Sequence, residues 1–141
     1  MDEGTVTQYI TETFEGTVVV TAEGNHFFFY GEDRMMPFVT LATDDSYDPF
    51  SNLTRPDVFR LNIGLSKNTY QSLFPIPESE QDFTALDRLM PHPVYAPQNW
   101  VCILSPSEAT LQTIQPLLAE AYDMAVRKET KRLARQSGEE A

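Results

Sequence analysis

Apolar residues recur along the chain at two spacings, and each spacing predicts one type of element. Residues 5–14 and 111–125 carry apolar side chains three or four positions apart, which is typical of amphipathic helices. We expect Thr5 to cap the first of these helices and Gly16 to end it. Two shorter helices are predicted at residues 66–74 and 83–90.

The last helix has the clearest start signal in the chain. The string Ser105-Pro106-Ser107-Glu108 predicts Ser105 as the N-cap, Pro106 at the first helical position and Glu108 as the partner that completes a capping box. The apolar spacing keeps its phase through Pro116. We therefore predict one long helix, kinked at this proline, rather than two helices.

Runs of β-branched and aromatic residues predict five strands, at residues 17–22, 26–30, 38–43, 58–64 and 99–104. Turn residues separate the first three strands, so this region should form an antiparallel meander. Strands and helices do not alternate regularly along the chain. The sequence thus predicts an α+β fold: a single, mostly meander antiparallel sheet of about five strands, with N- and C-terminal helices packed on one face.

The 141 residues suffice for one domain, which we place at residues 1–136, followed by a frayed tail at 137–141. The formal net charge of −11 argues against nucleic-acid binding, because an acidic surface repels phosphate. No apolar run approaches the length of about 20 residues that a membrane-spanning helix needs. The acidic start at Asp2 and Glu3 does not match a signal peptide, and the single Cys102 cannot form an intramolecular disulfide. We expect a soluble, cytoplasmic protein.

Charge is distributed unevenly along the chain. Residues 127–141 hold five basic and three acidic side chains, for a net charge of +2, whereas the rest of the chain carries −13. Cations near a helix C-terminus complement the helix dipole, which is the simpler interpretation of this basic segment. The alternative is a helical arm that docks on an acidic partner or on nucleic acid.

Acidic residues before and within the polar loop at residues 44–57 are the nearest approach to a metal site. Asp44, Asp45 and Asp48, with Glu32 and Asp33, could offer oxygen ligands to a hard cation. The spacing matches no calcium loop, since the ordered aspartates, the glycine and the closing glutamate are missing. We interpret the segment as a solvated acidic loop and predict no bound metal or cofactor.

Five residues are candidates for a ligand pocket. His92 lies between two prolines and close to Tyr95 and Trp100, and rigid loops with such side chains often line pockets. Arg60 and Asn62 alternate with apolar residues in their strand, which predicts that both lie on the open face of the sheet. The alternative is that Arg60 pairs with an aspartate and His92 stabilises a turn. Phosphate-binding loops and nucleophile motifs are missing from the sequence, and Cys102 fits a small buried side chain better than a nucleophile.

Four strings carry a family resemblance: YITETF at 9–14, FRLNIG at 59–64, DRLMPHPVY at 87–95, and WVC at 100–102 followed by PSEAT at 106–110. Over residues 5–127 the chain resembles a family of bacterial proteins of unknown function of about this length. More remotely, an Arg-Leu-Asn strand, Trp100 and Tyr122 are similar to the YjbR/MmcQ family. That similarity implies a CyaY-like α+β fold and, as in some of its members, DNA binding.

Three functions follow as hypotheses. The leading one is a module that binds a protein partner or small ligand without catalysis, as a monomer or homodimer. The second is an enzyme whose pocket contains Arg60, Asn62, His92, Tyr95 and Trp100. The third is nucleic-acid binding through residues 127–135, as the remote resemblance implies.

Overall fold

Six strands form one open antiparallel sheet in the computed structural model, which describes residues 2–32, 34–76 and 80–140, apart from the side chains of 138–140. The strands are β1 (Thr17–Ala22), β2 (Asn25–Tyr30), β3 (Val39–Ala42), β4 (Arg60–Gly64), β5 (Met90–Pro91) and β6 (Trp100–Leu104). Their spatial order is β1-β2-β3-β4-β6-β5. The helices are α1 (Glu3–Thr13), α2 (Lys67–Leu73) and α3 (Glu108–Glu140), with one 3-10 turn at Ala96–Gln98.

The predicted α+β class and the antiparallel sheet with N- and C-terminal helices are confirmed. Strands β1, β2 and β3 form the predicted meander. Pro116 lies inside α3, so the last helix is continuous through the proline as predicted. Most of the tail that we expected to fray, at residues 137–141, falls outside the described side chains.

The helix predicted over residues 83–90 is wrong. This segment instead runs along the edge of the sheet, where Leu86 bridges to Leu104 and Met90 pairs with Cys102. Asp87 has a positive φ of 57° and donates its backbone N–H to the Leu104 carbonyl, which breaks a helical path. Pairing with β6 therefore outweighs the local helical spacing of the apolar residues.

Two predicted helix caps are also wrong. Asp2 caps α1, because its Oδ1 accepts the backbone N–H of Thr5 at 2.9 Å, and Thr5 lies within the helix. Ser107 rather than Ser105 caps α3, with its Oγ accepting the N–H of Thr110 at 3.2 Å. Ser105 still extends the sheet, since its N–H donates to the Phe59 carbonyl and its Oγ accepts the Phe59 N–H. Because these bonds to Phe59 hold Ser105 in the sheet, Ser105 cannot also be the N-cap of α3.

The main hydrophobic core lies between the sheet and helices α1 and α3. Its buried side chains include, from the helices, Val6, Ile10, Leu111, Ile114 and Leu118, and from the sheet, Phe28, Leu41, Leu61, Ile63 and Ile103. The sheet residues share one face, because each strand contributes every second position to it.

The opposite face of the sheet is covered, which corrects the prediction that Arg60 and Asn62 lie on an open face. Arg60 is 2% exposed and Asn62 is 3% exposed. A second, smaller cluster of buried residues lies nearby, formed by Ala42, Leu53, Met90, Cys102 and Leu104. Leu53 comes from the segment predicted to be a solvated loop, so that segment packs back onto the sheet.

Candidate functional site

A cavity of about 610 Å³ lies on the sheet face that is turned away from α1 and α3. Phe27, Thr40 and Asn62, which pair across neighbouring strands, place three of its lining residues on this one face. The five residues predicted to form a ligand pocket all line it: Arg60, Asn62, His92, Tyr95 and Trp100. Residues up to 40 positions apart in the sequence are thus brought together as one site.

A buried ion pair forms part of the cavity floor. The Arg60 guanidinium binds the Asp48 carboxylate through two parallel hydrogen bonds, with Nη1–Oδ1 at 2.9 Å and Nη2–Oδ2 at 2.6 Å. Nη1 also donates to the Ser51 hydroxyl at 2.9 Å. Burial raises the pKa of Asp48, but the hydrogen bonds and positive charge of Arg60 outweigh this effect and lower the pKa below its ordinary value. The pair is therefore charged on both sides near neutral pH and has no net charge.

Asn62 links this ion pair to β3. Its Oδ1 accepts from Arg60 Nε at 2.9 Å, and its Nδ2 donates to the Thr40 hydroxyl at 3.0 Å. Because Arg60 can only donate, this contact also determines which atom of the amide is the oxygen. The floor is thus a connected chain of hydrogen bonds running from Asp48 to Thr40.

His92 stabilises the turn at one wall of the cavity. Its Nδ1 accepts the backbone N–H groups of both Val94 and Tyr95 at 3.0 Å, while the prolines on either side restrict the turn. Burial, reinforced by the charge of Arg60, lowers the pKa of His92 from 6.5 to about 4, and the charge of Asp48 opposes this shift only partly. The ring is therefore neutral at pH 7 and carries its proton on Nε2. His92 thus stabilises the turn and also lines the cavity.

The indole ring of Trp100 packs over Gly64 at the end of β4. The two residues are register partners, and a Cβ atom at Gly64 would lie 2.9 Å from Trp100 Cε2. Asn99 reverses the chain just before the tryptophan with a positive φ of 69°. A residue without a side chain at position 64 therefore lets the indole pack against the sheet and line the cavity.

A comparison with family models identifies the family of this chain. The model for the family of unknown function DUF6194 matches residues 1–134. The chain belongs to the DUF6194 family. No curated protein and no solved structure matches it. This result confirms the whole-chain resemblance to a family of unknown function, whereas the remoter similarity to the YjbR/MmcQ family stays a prediction.

Several lining residues of this DUF6194 protein were missed by sequence reasoning. Phe27, Phe29 and Tyr47 contribute aromatic walls, and Thr40 and Asp48 belong to the floor. One signal was available: the run Phe27-Phe28-Phe29-Tyr30 is apolar at every position, which is typical of a strand covered on both faces. Tyr47 and Asp48 had no comparable signal, because only the folding of their loop brings them to the cavity.

The acidic loop forms hydrogen bonds within the protein. Asp44 accepts from Ser46 and Asn25, Asp45 accepts the Leu53 N–H, and Asp48 binds Arg60. Within the described residues, no three His, Cys, Asp or Glu side chains are grouped so that they could hold a metal ion. Asp33, the fifth acidic residue considered with the loop, lies outside the described residues.

Cys102 is fully buried in β6, and its Sγ donates to the Pro91 carbonyl at 3.7 Å. Burial raises the pKa of its thiol to about 12. The thiolate, which is the nucleophilic form, is therefore negligible near neutral pH.

The basic segment at 127–135 forms the later part of α3. Among the side chains that the structure describes, Arg127 pairs with Asp123 at 3.0 Å and Arg132 with Glu129 at 2.6 Å, both within the same helix. Across the described part of the chain, no helix combines the length and apolar character needed to cross a bilayer.

Proposed function

We propose that this protein binds a small molecule in the cavity on the covered face of the sheet. The observation that carries the proposal is the lining: apolar and aromatic walls surround a floor of hydrogen-bonded polar groups that includes a buried ion pair. Ligand sites in proteins typically combine these features within about 300–1,000 Å³, and the cavity of about 610 Å³ lies in that range.

Binding without catalysis fits the chemical state of the lining groups better than an enzyme does. A general base needs a free lone pair, but Nδ1 of His92 already accepts two backbone N–H groups and Nε2 carries the proton. Breaking these bonds to free the ring would release the turn at residues 92–95. Asp48 is held by Arg60, so its carboxylate is a poor base as well.

Trp100 provides an optical probe at the cavity, because it is the only tryptophan of the chain and lines the cavity, and the variants below assign its response to this site. The test is a screen of neutral, anionic and cationic small molecules, metal ions and short oligonucleotides at low salt, followed by both Trp100 emission and thermal melting. A ligand that binds the folded state at a hundred times its Kd adds about 2.7 kcal/mol of stability. We expect small organic molecules to shift both readouts.

A pair of variants identifies the site. Thr40→Phe places a ring on the cavity floor and should abolish the ligand-induced shifts. Val20→Phe is the matched control, since Val20 lies on the same sheet face, is 41% exposed and does not line the cavity. Shifts that persist in Thr40→Phe would contradict the proposal, as would a screen in which only oligonucleotides bind.

A further inference from the structure

On the cavity floor the hydrogen-bond acceptors are engaged within the protein, whereas several donors of the described residues are free. Each acceptor atom on it already receives a hydrogen bond: the carboxylate of Asp48 and the Oδ1 of Asn62 from Arg60, and the hydroxyl of Thr40 from Asn62. The Nδ1 of His92 receives two. The acceptor atoms of Asp48, Asn62, Thr40 and His92 are therefore already engaged within the protein.

Donors are available at the same place. Among the described residues, the Nε2–H of His92, the second Nδ2–H of Asn62 and the hydroxyl proton of Thr40 have no acceptor. All three side chains line the cavity, and Asn62 and Thr40 contact each other across β3 and β4. Donors in this position are satisfied by water or by the acceptor of a ligand.

The charges of the cavity and of the whole chain also limit the net charge that a ligand can carry. Asp48 already neutralises the Arg60 charge through two hydrogen bonds, so this charge is not available to an incoming anion. The chain as a whole carries −11, which also opposes an anion. A cation that reached the floor would find no free anionic group among the described residues, because the Asp48 carboxylate is neutralised by Arg60 and the oxygens of Asn62 and Thr40 already receive hydrogen bonds.

From these contacts we infer that the ligand is a neutral, largely apolar molecule with one carbonyl-type acceptor, its apolar body against the aromatic walls and its oxygen toward Thr40, Asn62 and His92. This inference rests on the proposed function, and it adds the chemical class of the ligand. It assigns His92 the role of a neutral donor, with Nδ1 holding the turn and Nε2–H facing the ligand.

The test uses probes that share a cyclohexyl group and differ in their polar end. They are N,N-dimethylcyclohexanecarboxamide, cyclohexanecarboxylate, cyclohexylmethyltrimethylammonium and ethylcyclohexane. Each is titrated into the full chain with Trp100 emission and thermal melting as readouts. We expect the tertiary amide, which is neutral and only accepts, to bind most tightly. Tighter binding of the carboxylate or the ammonium would overturn the inference.

Two variants remove single donors. In His92→Asn the amide oxygen can still accept the Val94 and Tyr95 N–H groups, whereas the Nε2–H donor is lost, because the amide N–H groups of the shorter side chain end before the Nε2 position. Thr40→Val removes the hydroxyl, both as a donor and as the acceptor of Asn62 Nδ2, and Thr40→Ser retains both functions as the matched control. Each loss should weaken amide binding about five- to tenfold, which is the usual worth of one hydrogen bond, and leave ethylcyclohexane affinity unchanged.

The possible failures are distinguishable. If both variants weaken the amide and the hydrocarbon equally, the donors do not recognise the acceptor and the inference is wrong. If the broader screen yields ligands that Thr40→Phe excludes but the amide has no advantage, only the ligand class is wrong. If no organic molecule shifts Trp100 emission or the melting temperature, the proposed function fails as well. Should His92→Asn not fold, the Thr40 pair still decides between these outcomes.

Discussion

Arg60 and Asp48 are both nearly inaccessible, and their environment explains how two opposite charges are tolerated beneath a loop. Removing an ion from water costs several kcal/mol, and a buried pair offsets this only with good geometry and additional hydrogen bonds. Here the two parallel bonds, the Ser51 hydroxyl and Asn62 provide them. The loop that carries Asp48 and Ser51 is thereby attached to β4, and the polar floor of the cavity is a consequence of this attachment.

His92 should make the folded protein acid-sensitive. Folding lowers the pKa of His92 from 6.5 to about 4. Between these pH values His92 is therefore protonated in the unfolded chain and neutral in the folded protein. The stability contributed by neutral His92 is therefore complete above pH 6.5 and is lost as the pH falls toward 4. The full loss is about 3 kcal/mol, of which about 2 kcal/mol falls between pH 7 and pH 5.

Urea unfolding at pH 7 and pH 5 measures this effect. The free energy of unfolding of His92→Asn should change less between the two pH values than that of the original chain. His26→Asn is the control, since His26 is the other histidine and does not line the cavity. Because His92 is intact in it, this variant should still lose stability between pH 7 and pH 5. Equal pH dependence in the original chain and His92→Asn would refute the role of His92.

Neighbouring strands of the sheet contribute parts of the site at a defined register. Strand β3 provides Thr40, β4 provides Arg60 and Asn62, and β6 provides Trp100. Alternation places these side chains on one face and the core residues between them on the other. The strand pairing that builds the core thus also builds the cavity, and close packing between β4 and β6 is a condition for both.

Gly64→Ala tests this packing. The added methyl group would lie 2.9 Å from Trp100 Cε2 and 3.0 Å from Cζ2, so the indole must move. We expect a loss of about 1–3 kcal/mol in the free energy of unfolding, as for other overpacked sites, and a shift of Trp100 emission.

Gly4→Ala is a control that should raise the free energy of unfolding rather than lower it. Gly4 lies within α1, and a methyl group there meets only Asp2 Oδ1, at 3.5 Å. Alanine should stabilise the helix by about 0.5–1 kcal/mol without changing Trp100 emission. A stable Gly64→Ala variant with unaltered emission would contradict the packing argument.

The whole molecule combines a folded body of strongly negative charge with the basic end of a long helix. Packing on the body extends along α3 at least to Glu129, which is buried and lies beside Gly31. The side chains at positions 133–137 are exposed. The domain should therefore not depend on the last residues of the chain.

Deletion of residues 137–141 should change the melting temperature by no more than about 2 °C, because exposed helix ends contribute little to stability. Deletion from residue 126 onward also removes buried Glu129 and should lower the melting temperature clearly. Circular dichroism melts of the two truncated chains measure the difference. A large fall in the shorter deletion would show that the tail packs on the domain and that the boundary at residue 136 is wrong.

The sequence alone determined the sheet and the two terminal helices, because these depend on local periodicity. It also placed Arg60 and Asn62 on one face of their strand, because alternation decides which side of a strand a residue occupies. The cap at Asp2 is a local contact with Thr5, so the sequence contained that signal. The choice of Ser107 over Ser105 as a cap and the extended path of residues 83–90 depended on contacts with Phe59 and β6, which local spacing does not contain. Only the tertiary structure decided that the face of Arg60 is covered. That outcome follows from the pairing of Arg60 with Asp48, 12 positions away, because a buried guanidinium needs a partner and the loop that supplies one must fold over the sheet.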